Sequence, residues 1–141
     1  MNKVVVDTSV IIKWFSPEEE TEKALDLLRP ITASRIDLIL PHFTQLEISN
    51  ILRLGKKFLQ TKTDKCLVDF FDLLPRFVEI DQNYSLEISN LSYAHNLASY
   101  DAAFIAVANR WNIPLFTADY KHHQKSISKN IIWLKEWKGK L

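Results

Sequence analysis

The 141-residue chain has one cysteine, Cys66, and only two glycines, Gly55 and Gly139. A single thiol cannot form an intrachain disulfide or supply a cysteine-based zinc site. Phosphate-binding loops of the P-loop and dinucleotide type need several glycines in one short turn, so that backbone amides can approach the phosphate. Neither loop can be built from Gly55 and Gly139, which removes nucleoside-triphosphate and nicotinamide chemistry. No apolar run reaches the roughly 18 residues that a membrane span requires, and an acid at position 7 interrupts the first apolar segment before a signal-peptide core can form. A cytoplasmic protein with no membrane association is the resulting expectation. Neither sign of charge predominates, since the formal net charge is +1.

What is present is an ordinary globular composition, 47% hydrophobic and 25% charged, with enough length to bury a core as one domain over residues 1–141. Aromatic and branched side chains run throughout, which argues against disorder. Basic residues are unevenly placed. Arg53, Lys56, Lys57, Lys62 and Lys65 form one group, and Lys121, Lys125, Lys129, Lys135, Lys138 and Lys140 crowd the last part. A balanced total can thus conceal a basic rim around an acidic hole, although a solvated lysine-rich surface explains charge alone equally well.

Five short runs, 3–7, 37–40, 77–80, 115–118 and 131–134, are almost continuously apolar. That is the pattern of parallel strands covered on both faces rather than of strands with one wet side. Amphipathic stretches of helical length lie between them: 10–15 leading into 18–29 with Pro17 at a turn or first helical position, then 42–60, 64–74, 84–95 and 100–111. Strand and helix alternation implies an α/β sandwich with right-handed crossovers.

Ligands of open parallel sheets bind beyond the carboxyl ends of the strands. Asp7 ends the first strand and Asp119 follows the fourth. Glu47 lies in the helix leaving the second strand, and Asp101 lies in the first turn of its helix behind Ser99 as a cap. Each acid has an ordinary alternative: Asp7 and Asp119 as helix caps, Asp101 as a partner of the helix dipole. Glu47 is harder to explain so, because it interrupts the apolar set Phe43, Leu46, Ile51, Leu54 and Phe58, and a buried glutamate needs a partner or a cation. Asn50, one turn on, stands on its side of the helix. Carboxylates brought together repel and raise one another's pKa unless a cation sits among them, and an all-oxygen set suits Mg²⁺ or Mn²⁺. Ser9 and Thr117, each two residues from an acid, are candidates to orient carboxylates or water.

The segments 4–15 (VVVDTSVIIKWF), 47–52 (EISNIL), 99–108 (SYDAAFIAVA) and 115–119 (LFTAD) resemble the successive motifs of PIN domains. The opening segment with Pro17-Glu18-Glu19 resembles the VapC-type toxins of toxin–antitoxin pairs. The resemblance covers nearly the whole chain. It implies a three-layer α/β/α sandwich on a central parallel five-stranded sheet, and Mg²⁺- or Mn²⁺-dependent endoribonuclease activity. It assigns Asp7, Glu47, Asp101 and Asp119 to the metal-binding catalytic acids, with Ser9, Asn50 and Thr117 as their polar companions. An RNA substrate, a cognate antitoxin and a homodimer are the implied partners. The run Tyr120-Lys121-His122-His123 departs from the apolar residue common in relatives after the last acid.

Other residues carry weaker expectations. Lys13, Arg53 and Lys57 are candidate phosphate contacts. His122 and His123 have the chemistry to touch phosphate or metal, yet adjacent side chains rarely share a face, and a surface loop is the expectation for both. Trp14, Trp111, Trp133 and Trp137 read as core or interface anchors. A phosphatase using a phospho-aspartate would want an Asp at position 9, which is Ser. A receiver domain would want an acidic pair near the first strand, where only Asp7 stands. A catalytically silent PIN-like interaction module is the remaining alternative, and four mutually repelling acids have no use in it.

Overall fold

The computed structural model describes residues 2–141. It contains five strands, β1 (Asn2–Val6), β2 (Ile36–Pro41), β3 (Arg76–Val78), β4 (Leu115–Thr117) and β5 (Ile131–Trp133), and six α-helices. The helices are α1 (Thr8–Phe15), α2 (Thr21–Thr32), α3 (Thr44–Asn50), α4 (Gln60–Phe71), α5 (Gln82–His95) and α6 (Ser99–Trp111). All strand pairs are parallel, in the order β3-β2-β1-β4-β5. The fold is the α/β/α sandwich expected from the sequence.

Continuous apolarity is explained by burial on both faces. Val4, Val5 and Val6 of β1, Leu38, Ile39 and Leu40 of β2, and Leu115 and Phe116 of β4 are all buried. Each such side chain contributes about 1.5–3 kcal/mol of transfer free energy. In α6 the run from Ala102 to Ala108 is entirely buried. Its four alanines leave room for the helix to lie close against β1, β2 and β4, while α5 packs along its side.

Strand order places the reversal of winding across the sheet at β1. From β1 the chain winds outward through β2 to β3, then α5 and α6 carry it back to β4 on the other side of β1. The Val5–Leu115 and Val6–Phe116 pairs join these two strands, and the Asp7 amide continues the ladder to the Phe116 carbonyl at 2.9 Å. A switch point of this kind opens a crevice at the carboxyl ends of the two strands.

Several local expectations are corrected. The stretch expected as one helix over 42–60 is α3 followed by a π-helical turn at Ile51–Gly55, closed by Lys57 in the left-handed region at φ 57°. The wider turn changes which residues face inward: Ile48 and Leu52 are buried, whereas Leu46 and Leu54 are each 63% exposed. Pro17 lies between helices, and Pro30 is accommodated within α2, which runs past it to Thr32. Ser99 is the first residue of α6, not its cap; Ala98 holds the cap position without a side-chain bond.

Candidate active site

Asp7 occupies the capping position of α1 but makes no capping hydrogen bond. Its carboxylate turns instead to the end of β4, where Oδ2 accepts from Ser9 Oγ at 2.6 Å and Thr117 Oγ1 at 3.1 Å. His123 Nδ1 stands 3.4 Å from the same oxygen. Burial alone would raise this acid's pKa. The hydrogen bond and positive charge of His123, with those of Ser9 and Thr117, outweigh burial and hold it below the usual carboxylate value.

The two hydroxyls also fix the strand end. Ser9 Oγ accepts from the Ala118 amide at 3.0 Å, and Thr117 Oγ1 accepts from the Asp119 amide at 3.0 Å. The loop that presents Asp119 is thereby stitched to the loop that presents Asp7.

Glu47, on α3, accepts at Oε1 from Thr8 Oγ1 at 2.8 Å. Burial raises its pKa most, the charges of Asp7 and Asp101 add to the rise, and the Thr8 bond only partly opposes them, leaving it at about 7. Asp101, half-buried in the first turn of α6, is raised by burial and by Asp7 and Asp119. Asp119 accepts the His122 amide at Oδ1, 3.1 Å, and lies in one group with Asp101 and His122, whose ligand atoms are all within 4.8 Å of one another. The four acids therefore share one electrostatic field at the switch point.

His123 was not foreseen. Expected on a surface loop, it is completely buried. Its Nε2 donates to the main-chain carbonyl of Asp101 at 2.9 Å, and Nδ1 meets Thr117 Oγ1 at 2.9 Å. Burial pushes its pKa down, but the hydrogen bonds and charges of Asp7 and Asp101 more than reverse this and bring it to about 9. At neutral pH it is an imidazolium inside the acidic cluster. His122, exposed, matches the surface expectation. Thr8 was also missed. Its place beside Asp7 is the one sequence signal that pointed to it, whereas nothing local marks position 123 as buried.

The remaining candidates lie apart. Asn50 is exposed, and Glu47 takes its hydrogen bond from Thr8 rather than from Asn50. Lys13, expected to reach phosphate, is buried, with Nζ bound to Glu18 Oε1 at 3.3 Å and to the Glu19 carbonyl at 2.6 Å. Its ammonium is committed to the α1–α2 turn. Arg53 and Lys57 are exposed on the π-helical turn and its closing residue.

The donor set fits a divalent cation. Four acids against one imidazolium leave a negative excess, and the charge of Asp7 on Glu47 and of Asp7 and Asp119 on Asp101 adds to the rise that burial mainly causes. All contacts of Asp7 converge on Oδ2, so Oδ1 takes no hydrogen bond among the described residues.

The sequence profile of the PIN domain matches residues 4–128, and the chain belongs to the PIN domain family. No curated protein matches it. Solved structures do. A toxin–antitoxin complex from Klebsiella pneumoniae superposes with a TM-score of 0.66 at 18% identity, covering 92% of this chain and 95% of that one. The sarcin-ricin loop cleaving toxin VapC20 of Mycobacterium tuberculosis gives 0.64 at 13% identity, covering 82% and 87%. FitAcB from Neisseria gonorrhoeae gives 0.64 at 20% identity, covering 95% and 99%. At these identities the likeness establishes the fold. No helix is long and apolar enough to cross a membrane among the described residues.

Proposed function

We propose that the chain is one nuclease domain, a Mg²⁺- or Mn²⁺-dependent endoribonuclease that hydrolyses RNA phosphodiester bonds as the toxin of a toxin–antitoxin pair in the cytoplasm. The observation that carries this reading is the gathering of Asp7, Glu47, Asp101 and Asp119 at the β1–β4 switch point, with Asp7 locked from behind. These four would hold the cation. When bound, it would lower the pKa of an attacking water and polarise a phosphoryl oxygen.

The chain's own residues have separable parts in this. Ser9, Thr117 and His123 consume one oxygen of Asp7 and orient the other. Thr8 fixes the Glu47 carboxylate toward the cation it would help to hold. Asn50 remains a companion of Glu47 only if its side chain turns inward, while Arg53 and Lys57 are exposed and free to meet the RNA backbone. Lys13 supports the α1–α2 turn.

The RNA substrate is supported by the toxin VapC20, which its structure describes as cleaving the sarcin-ricin loop. An antitoxin is supported by the toxin–antitoxin complex of the same fold. Leu46 and Leu54, exposed on adjoining turns, are apolar surface suited to a protein partner, whether antitoxin or a second copy in a homodimer. The test is cleavage of a panel of cellular RNAs in Mg²⁺ and in Mn²⁺ with the ends mapped. Metal-dependent cuts by the wild type, absent with Asp101→Asn, support the reading. No cleavage together with no metal-induced rise in thermal stability would leave a silent interaction module instead.

A further inference from the structure

The acids do not face the crevice equally. Asp7 spends Oδ2 on three partners and Glu47 spends Oε1 on Thr8. The side chains of Asp101 and Asp119 stand together, and the third member of their group is not an acid but His122. Its Nδ1 lies 3.1 and 3.0 Å from the two carboxylate oxygens of Asp119.

His122 is held there by its neighbour. His123 is buried, with both ring nitrogens engaged, and its carbonyl accepts from Trp133 Nε1 at 2.8 Å. The His122 and His123 amides both close turns onto Asp119, through Oδ1 and the main-chain oxygen respectively. The loop thus delivers one imidazole to the anchor and one to the acids, and the second has no other task in the structure.

We infer that His122 is a nitrogen ligand of the metal centre, so that Asp101, Asp119 and His122 form a mixed oxygen–nitrogen set selective for a transition ion such as Mn²⁺ over Mg²⁺. This rests on the metal-site reading given above. Imidazole adds little for Mg²⁺, which is hard and keeps its waters; Mn²⁺ accepts it more readily, and the later first-row ions more strongly still. Coordination uses the lone pair of an unprotonated ring nitrogen, as metal-bound histidine requires. A side chain that only steadied the Asp119 loop would have no influence on which ion is chosen.

The test loads the full-length chain with Mn²⁺ and records electron spin echo modulation, which detects directly bound ¹⁴N, alongside calorimetric titration with Mn²⁺ and Mg²⁺. Wild type should show ¹⁴N modulation and His122→Ala should lose it. The ratio of Mn²⁺ to Mg²⁺ affinity should fall in the variant by at least the roughly tenfold that loss of even an indirect metal partner costs. His122 is exposed, so the variant should fold, and an unchanged thermal midpoint in chelator checks it. Mn²⁺ bound without ¹⁴N coupling, or coupling that survives in His122→Ala, overturns this inference and leaves the carboxylate site standing. No Mn²⁺ binding by the wild type overturns both.

Discussion

Nε2 of His123 donates to the main-chain carbonyl of Asp101 across 2.9 Å, tying the start of α6 to the loop after β4. Asp101 would otherwise depend on the preceding loop alone for its place at the sheet edge. Because a carbonyl only accepts, Nε2 must carry hydrogen, which leaves Nδ1 to face Thr117 and Asp7.

Removing this ring should therefore cost more than a loop histidine normally would. His123→Ala strands the buried Asp7 carboxylate without its counter-charge, and breaking one side of a buried ion pair costs about 3–5 kcal/mol. Urea unfolding in chelator measures it. Asp7→Asn should relieve most of the loss when combined with His123→Ala, since no buried charge is then left alone. Equal and additive losses in the double variant would show that the two side chains do not act on each other.

Stability without metal should decline from mildly acidic to alkaline pH. Glu47 in the fold keeps its proton up to about 7, above its ordinary 4.5, so the native state binds more protons than the unfolded one in that window and loses stability as pH rises through it. His123, lifted to about 9 from 6.5, contributes stability that is complete below 6.5 and lost as pH rises through its folded value. Asp7 runs the other way, being lowered, and its contribution fades only as pH falls below 3.8. Urea midpoints at about pH 5, 7 and 9 in chelator should fall in that order. Glu47→Gln should flatten the first step and keep the second. A wild-type midpoint that rises between the first two values contradicts the assignment for Glu47.

The fold was legible because burial on both faces leaves a plain mark, and β1, β2 and β4 are written as nearly unbroken apolar runs. The acids were legible because strand ends could be placed to within a few residues, which suffices to bring Asp7, Glu47 and Asp119 to one edge; Asp101 joins them only because its helix also starts there. What surrounds them was not. Whether Thr8 or Asn50 meets Glu47 depends on the angle at which α3 crosses the end of α1, and no periodicity encodes it. His123 gave no apolar or repeating signal, because its burial is compensated by polar partners 6, 22 and 116 positions away: Thr117, Asp101 and Asp7. Leu46 and Leu54 read as core under a 3.6-residue period that the π-helical turn interrupts.

Asp101→Asn should reduce RNA cleavage by about 10²-fold or more while leaving the fold intact. Asp101 has no side-chain hydrogen bond among the described residues, and its pKa is raised by burial, Asp7 and Asp119. Deleting its charge relieves the burial penalty and the repulsion of Asp7 and Asp119, which together outweigh its attraction to His123. The chelator-treated variant should unfold at a higher urea concentration than the wild type. Wild-type cleavage rates in Mn²⁺ for purified Asp101→Asn would remove this residue from the catalytic set.

Adding the cation should reverse the repulsion in the wild type itself. At about 100 times its dissociation constant, a ligand that binds only the native state adds roughly 2.7 kcal/mol, so Mn²⁺ should raise the thermal midpoint and excess chelator should return it. The gain should also erase most of the pH 5 to 7 decline, because a cation beside Glu47 removes the reason for it to hold a proton. Asp101→Asn and Asp119→Asn should each show a smaller rise than the wild type at equal Mn²⁺, since each withdraws a carboxylate from the pair that stands open to the crevice. Lys57→Ala, on the exposed turn after α3, should show the full rise. If the two Asn variants gained as much as the wild type, the cation would be held somewhere other than the β1–β4 crevice.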